Sequence, residues 1–159
     1  MRIARDGRFI RTDIWREGKW LDLWSVVHLL SGITIGLGFS FLHFDPFASV
    51  ALTLVSLVAY EMWEQIVQIE EAPTNRFMDV VVGMASFLPT FLLLAPLFSR
   101  DALVASFAFV LTITIVLSIF GWHASQKAAA LKKRVRARLI RERAKFREEK
   151  ARLRERFRR

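Results

Sequence analysis

Glu61 and Glu64 interrupt an otherwise apolar run, AYEMWEQIVQI, at residues 59–69. A carboxylate inside a segment apolar enough to cross a bilayer is costly, so by default it marks a site with a partner to be found. His28 lies in a second apolar run, and Asp79 opens a third. A histidine beside carboxylates can trade protons with them, which suits a proton relay or general acid–base chemistry. The same four residues carry donor atoms that a metal ion accepts. A di-iron carboxylate bundle, however, needs Glu-x-x-His on each of two helices, and no such motif occurs. The absence of cysteine excludes disulfides, thiolate metal sites and a cysteine nucleophile. Ser25 and Ser31 flank His28 but are ordinary in a membrane helix, so no nucleophilic triad is indicated. No glycine-rich phosphate loop is present.

A structural reading of the same residues stands beside the chemical one. His28, Glu61, Glu64 and Asp79 would then satisfy one another and hold helices in register, as interhelical polar contacts do in membrane bundles. Asp79 or Asn75 would be no more than the N-cap region of its helix.

The elements that must position these residues follow from the hydropathy pattern. Of 159 residues, 53% are hydrophobic, with 14 Phe and 5 Trp, and the charges are segregated towards the ends. That pattern predicts an all-α fold: a four-helix transmembrane bundle with a long basic cytoplasmic C-terminal helix. The expected divisions are a basic N-terminal segment (1–20), a four-span transmembrane domain (21–124) and a basic helical tail (125–159). The N-terminal segment has no apolar core of its own and is not expected to be a cleavable signal. Ile10, Ile14 and Trp15 could lay an amphipathic turn on the membrane surface; a partly ordered basic terminus is the alternative.

The first span is expected near residues 21–44, enough to cross ~30 Å of hydrocarbon. His28, Gly32 and Gly36 recur at i, i+4, i+8 and share a face, and the GxxxG spacing lets another helix come close. Asp45-Pro46 ends that helix. The second span covers about 47–69, with Glu61, Glu64, Gln65 and Gln68 on one stripe. A polar loop, Glu70 to Arg76, leads to a third span at about 77–98, in which Asp79, Gly83, Ser86 and Thr90 share a face. Pro89 and Pro96 should kink or break its far half. Ser99-Arg100-Asp101 reads as a short turn. The fourth span, about 102–124, holds only His123 as a titratable group.

Residues 127–159 carry 16 Lys and Arg against 4 Glu, a net +12, so the remaining chain is −3 within a total of +9. The segment lacks Gly and Pro, which favours one long helix. Leu131, Val135, Leu139, Phe146, Leu153 and Phe157 form a thin apolar stripe, but Glu142 interrupts a coiled-coil seam. Its expected roles are to set orientation, to bind anionic lipid or a protein partner, or to contact RNA or the ribosome.

Four spans put both ends on one side. Basic residues cluster there, which by the positive-inside rule places both termini in the cytoplasm, in the inner membrane of a bacterium. Trp15, Trp20, Trp24, Trp63 and Trp122 fall near that same boundary, where indole prefers to sit. His28, Glu61 and Glu64 thereby come to one level, roughly 7–12 Å inside the cytoplasmic face at ~1.5 Å per residue, with Asp79 at the mouth of its span on the same side.

His28, Tyr60-Glu61, Glu64-Gln65, Asn75 and Asp79-x-x-x-Gly83 resemble the pattern of VanZ-like and YjdF-like small bacterial membrane proteins, over about residues 24–86. Those families show an early-helix His, an E-x-x-Q or Y-E-x-x-E element and a D-x-x-x-N/G element. Position 82 here is Val, where the pattern usually has Asn. The resemblance implies a fold type and a bacterial envelope setting rather than an activity. The resulting expectation is a non-catalytic envelope accessory or scaffold protein, with no cofactor. The alternative is a membrane enzyme or transporter working through the His28/Glu61/Glu64/Asp79 pocket by proton transfer or metal binding.

Overall fold

A computed structural model of the chain describes residues 2–3, 9–10, 14–15, 18, 20–67 and 72–156. Gln68, Glu70, Glu71, Phe157 and the N-terminal Arg5, Arg8, Arg11, Arg16 and Lys19 lie outside the described residues. A two-residue antiparallel pair, β1 (Arg2–Ile3) with β2 (Phe9–Ile10), precedes four helices: α1 (Leu23–Phe41), α2 (Pro46–Ile66), α3 (Pro73–Pro89) and α4 (Arg100–Arg156). Four helical segments are long and apolar enough to cross a membrane: α1, α2, Pro73–Leu97, and the first part of α4.

Each start has a local cause. The Asp22 carboxylate caps α1 by accepting from the Trp24 and Ser25 amides, while Ser25 Oγ accepts from the Asp22 amide, a reciprocal capping box. Asp45 caps α2, accepting from the Ala48 amide at 2.9 Å, with Pro46 at the first helical position. The tight reversal before it uses His43 at φ 54°, in the left-handed region.

α3 departs from the sequence expectation at its start and follows it at its far end. It begins at Pro73, so Thr74, Asn75 and Arg76 are helical rather than part of a polar loop, and the N-cap is Ala72. Proline at the first position explains this early start, since its missing N–H is one the helix leaves unbonded anyway. At the far end the α-helix stops at Pro89, then widens into a π-helical turn, Thr90–Leu94, and tightens into a 3-10 turn, Ala95–Leu97. A proline ring excludes the normal backbone hydrogen bond, so the regular α-helix gives way to these wider and tighter turns, the break expected from Pro89 and Pro96. Phe98 and Ser99 separate the 3-10 turn from α4: Arg100 and Asp101, expected in a turn, are its first residues.

α1 is the central helix, with 44% of its apolar window buried against 11% for α4. It packs on α3 through glycine. A Cβ at Gly32 would lie 2.1 Å from the Gly83 carbonyl oxygen and from Ser86 Oγ, so the two backbones are nearly in contact. Ser86 Oγ donates to the Leu29 carbonyl at 2.8 Å, a bond between helices. Gly83 also admits α2, since a Cβ there would meet Leu57 at 2.8 Å.

α4 covers α1 from the other side, with Leu37, Ala95 and Leu103 packed against Phe107 and Val110. Nearer the charged end, Trp15 and Trp24 meet edge to face at 5.2 Å and press on Gly121. Trp15 is therefore a buried plug, 6% exposed, rather than part of a surface turn; Ile14 is 79% exposed. α4 then continues through residue 125 without a break to Arg156, so span and tail are one helix.

Candidate functional site: a polar junction of three helices

The buried stripe of α2 is Ser49, Thr53, Leu57, Glu61 and Glu64, spaced to lie along one side. On α3 the buried residues are Asn75, Asp79, Gly83 and Phe87, at strict intervals of four. Those two stripes, with the His28 side of α1, converge near the ends of the helices from which the basic tail leaves. His28 is 3% exposed, Glu61 5%, Glu64 5%, Asp79 1% and Asn75 0%.

His28 Nε2 stands 3.2 Å from Glu61 Oε1 and 3.9 Å from Asp79 Oδ2. One donor atom from each of His28, Glu61 and Asp79 lies within 4.8 Å of the other two. The imidazole is also held edge to face by Tyr60, with ring centroids 5.4 Å apart. Tyr60 in turn lies against Trp63, which stacks on Trp122 of α4 at 5.7 Å. The aromatic chain joins the site to the base of the tail.

Asp79 is fastened from behind. Ser25 Oγ donates to Asp79 Oδ1 at 2.5 Å, and the Asn75 amide approaches Asp79 Oδ2 at 3.4 Å. The same amide donates to Asp22 Oδ2 at 2.9 Å, and that oxygen also accepts from the Gly18 amide at 2.8 Å. Ser25 thus accepts from Asp22 and donates to Asp79. This is a specific role for a hydroxyl that the sequence offered no reason to single out. Asn75 is likewise an interior partner of two carboxylates, not a helix cap.

Of the four residues expected from the sequence, three form the close group and the fourth is buried beside it. Glu64 lies one turn of α2 beyond Glu61, on the same buried side, but outside the three-residue donor group found among the described residues. His123, a possible contributor from α4, is exposed and takes no part. Asp22 was missed altogether. Its signal was available: an Asp just before an apolar run is an N-terminal cap pattern.

Chemically the junction can do two things. It can lock α1, α2 and α3 in one register, because every polar group buried there must find a partner. It can also present one imidazole nitrogen and two carboxylates to a common point. No family model, no curated protein and no solved structure matches this chain.

Proposed function

We propose that the chain is a non-catalytic scaffold of the bacterial inner membrane, with both termini in the cytoplasm, that holds a basic helix in fixed relation to the bilayer. The observation that carries this reading is the continuity of α4 from Arg100 to Arg156. From residue 125 it extends about 48 Å at ~1.5 Å per residue. A helix continuous with its span stands away from the membrane, whereas a broken one could lie flat on it. Most of its charges therefore lie beyond the ~8 Å reach of surface potential at physiological salt, and an acidic protein or other polyanion in the cytoplasm fits them better than lipid headgroups do. The excess of Lys and Arg at this end of the spans supports the orientation.

The likeness to VanZ-like and YjdF-like proteins fits the same reading. His28, Glu61, Glu64, Asn75, Asp79 and Gly83, among the residues that carry it, are buried on α1, α2 and α3. A second reading, a membrane enzyme or transporter, is favoured by one observation only, the convergence of His28, Glu61 and Asp79 in a buried site.

Photo-crosslinking from position 139 in living cells tests the scaffold reading. It predicts discrete adducts with a cytoplasmic macromolecule, kept in Glu61→Gln and lost when the Lys and Arg residues of 127–159 are replaced by Gln with Leu139 still the crosslinking position. Adducts with lipid alone would overturn it.

A further inference from the structure

We propose that His28, Glu61 and Asp79 form a binding site for one divalent first-row transition-metal ion, of the Zn2+, Mn2+, Fe2+ or Co2+ kind. The proposal goes beyond the scaffold reading and does not rest on it. It starts from the geometry of three buried side chains. His28 Nε2 faces oxygens of two carboxylates, at 3.2 and 3.9 Å. A metal ion placed among these donors would be shared by all three.

The dimensions suit such an ion. Bonds of about 2.0–2.2 Å from one metal to N and O ligands put the ligand atoms roughly 3–3.5 Å apart. The three donors already lie within 4.8 Å of one another. Movement of about 1 Å, within the reach of a Glu side chain, would bring all three donors to bonding distance and leave at least one position for water. The donor set selects the class. One imidazole with two carboxylates is too nitrogenous for Ca2+ or Mg2+, which take oxygen ligands, and too hard for Cu+.

The surroundings resemble what orients metal ligands elsewhere. A ligating carboxylate is normally held by hydrogen bonds to groups behind it. Here Ser25 and Asn75 hold Asp79, and Asp22 holds both Ser25 and Asn75. Each of the three ligands comes from a different helix, so an ion bound there would cross-link α1, α2 and α3. Binding would then stabilise the fold by mass action, since the unfolded chain has no such site.

The test uses full-length protein in detergent, purified through a tag free of histidine, stripped with chelator and titrated with Co2+. The expected result is one Co2+ per chain retained through gel filtration, with ligand-field absorption bands of a nitrogen–oxygen site. His28→Ala and Glu61→Gln should each weaken binding by about 100-fold or more, and Asn75→Ala by about 10–100-fold, the usual range for groups behind the ligands. Asp101→Asn, at the opposite end of the bundle, should leave binding unchanged. If His28→Ala is not monodisperse, Glu61→Gln, which keeps size and an acceptor oxygen, carries the test. Failure of folded wild-type protein to retain Co2+ would overturn the proposal, as would wild-type affinity in Glu61→Gln. Either failure leaves the tail crosslinks untouched, so the two readings fail separately.

Discussion

The carboxylate of Asp22 accepts a 2.9 Å hydrogen bond from the side-chain amide of Asn75, 53 residues away, and so ties the first turn of α3 to the cap of α1. The same carboxylate caps its own helix through Trp24 and holds the incoming chain through Gly18. One side chain thus fixes where α1 starts and where α3 sits against it.

Asp22→Ala should therefore cost about 1–2 kcal/mol, towards the upper part of the range for loss of an N-cap. Reversible unfolding in mixed micelles measures it. Asp22→Asn, which keeps a capping oxygen, should cost less. Equal stability of wild type and Asp22→Ala would mean that the Asn75 bond contributes nothing.

Asp22 also shows where sequence reasoning stopped. His28, Glu61 and Asp79 were legible because each stands in or at the mouth of an apolar run, where an ionisable group is expensive enough to demand a partner. Asp22 lies at the boundary, where a carboxylate is cheap, so its cap pattern pointed to a helix start and not to a partner on another helix. Ser25 was silent because serine is common in membrane helices. The partnership of Gly32, Gly36 and Gly83 was visible as small-residue spacing, whereas which glycine touches which backbone needed coordinates. The start of α3 at Pro73 was hidden by the polarity of Thr74, Asn75 and Arg76. Two of these polar residues turn inward, with Asn75 fully buried and Arg76 Nε shielded from solvent.

Gly32 admits no side chain. Its Cβ would fall 2.1 Å from the Gly83 carbonyl oxygen, a backbone atom that cannot swing aside. Gly32→Ala should force α1 and α3 apart and cost about 1–3 kcal/mol, the usual penalty for overpacking. Gly38→Ala meets only the Phe107 side chain, at 3.2 Å, and should cost less. The difference in unfolding midpoint between the two variants checks the close approach.

Trp15 fills the space between Trp24 and Gly121 and is 6% exposed. Trp15→Ala should destabilise the protein by about 3 kcal/mol, at the low end for a buried large aromatic. Trp15→Phe should recover most of that loss. Thermal unfolding followed by circular dichroism distinguishes them.

Orientation is open to a direct check. Reporter fusions at His43 and after Arg159 should report opposite compartments, with the C-terminal one cytoplasmic. A periplasmic C-terminus would remove the basis for placing the His28 site at the cytoplasmic leaflet.

α1 and α2 meet through His28 and Glu61. The most direct measurement is a double-mutant cycle on folding stability, using His28→Ala, Glu61→Gln and the pair. Residues in contact couple, and residues apart are additive. The 3.2 Å separation predicts a coupling of about 0.5–2 kcal/mol, the range seen for polar contacts between membrane helices. Additive effects in protein that remains folded would contradict the contact, and with it the three-helix junction on which the site depends.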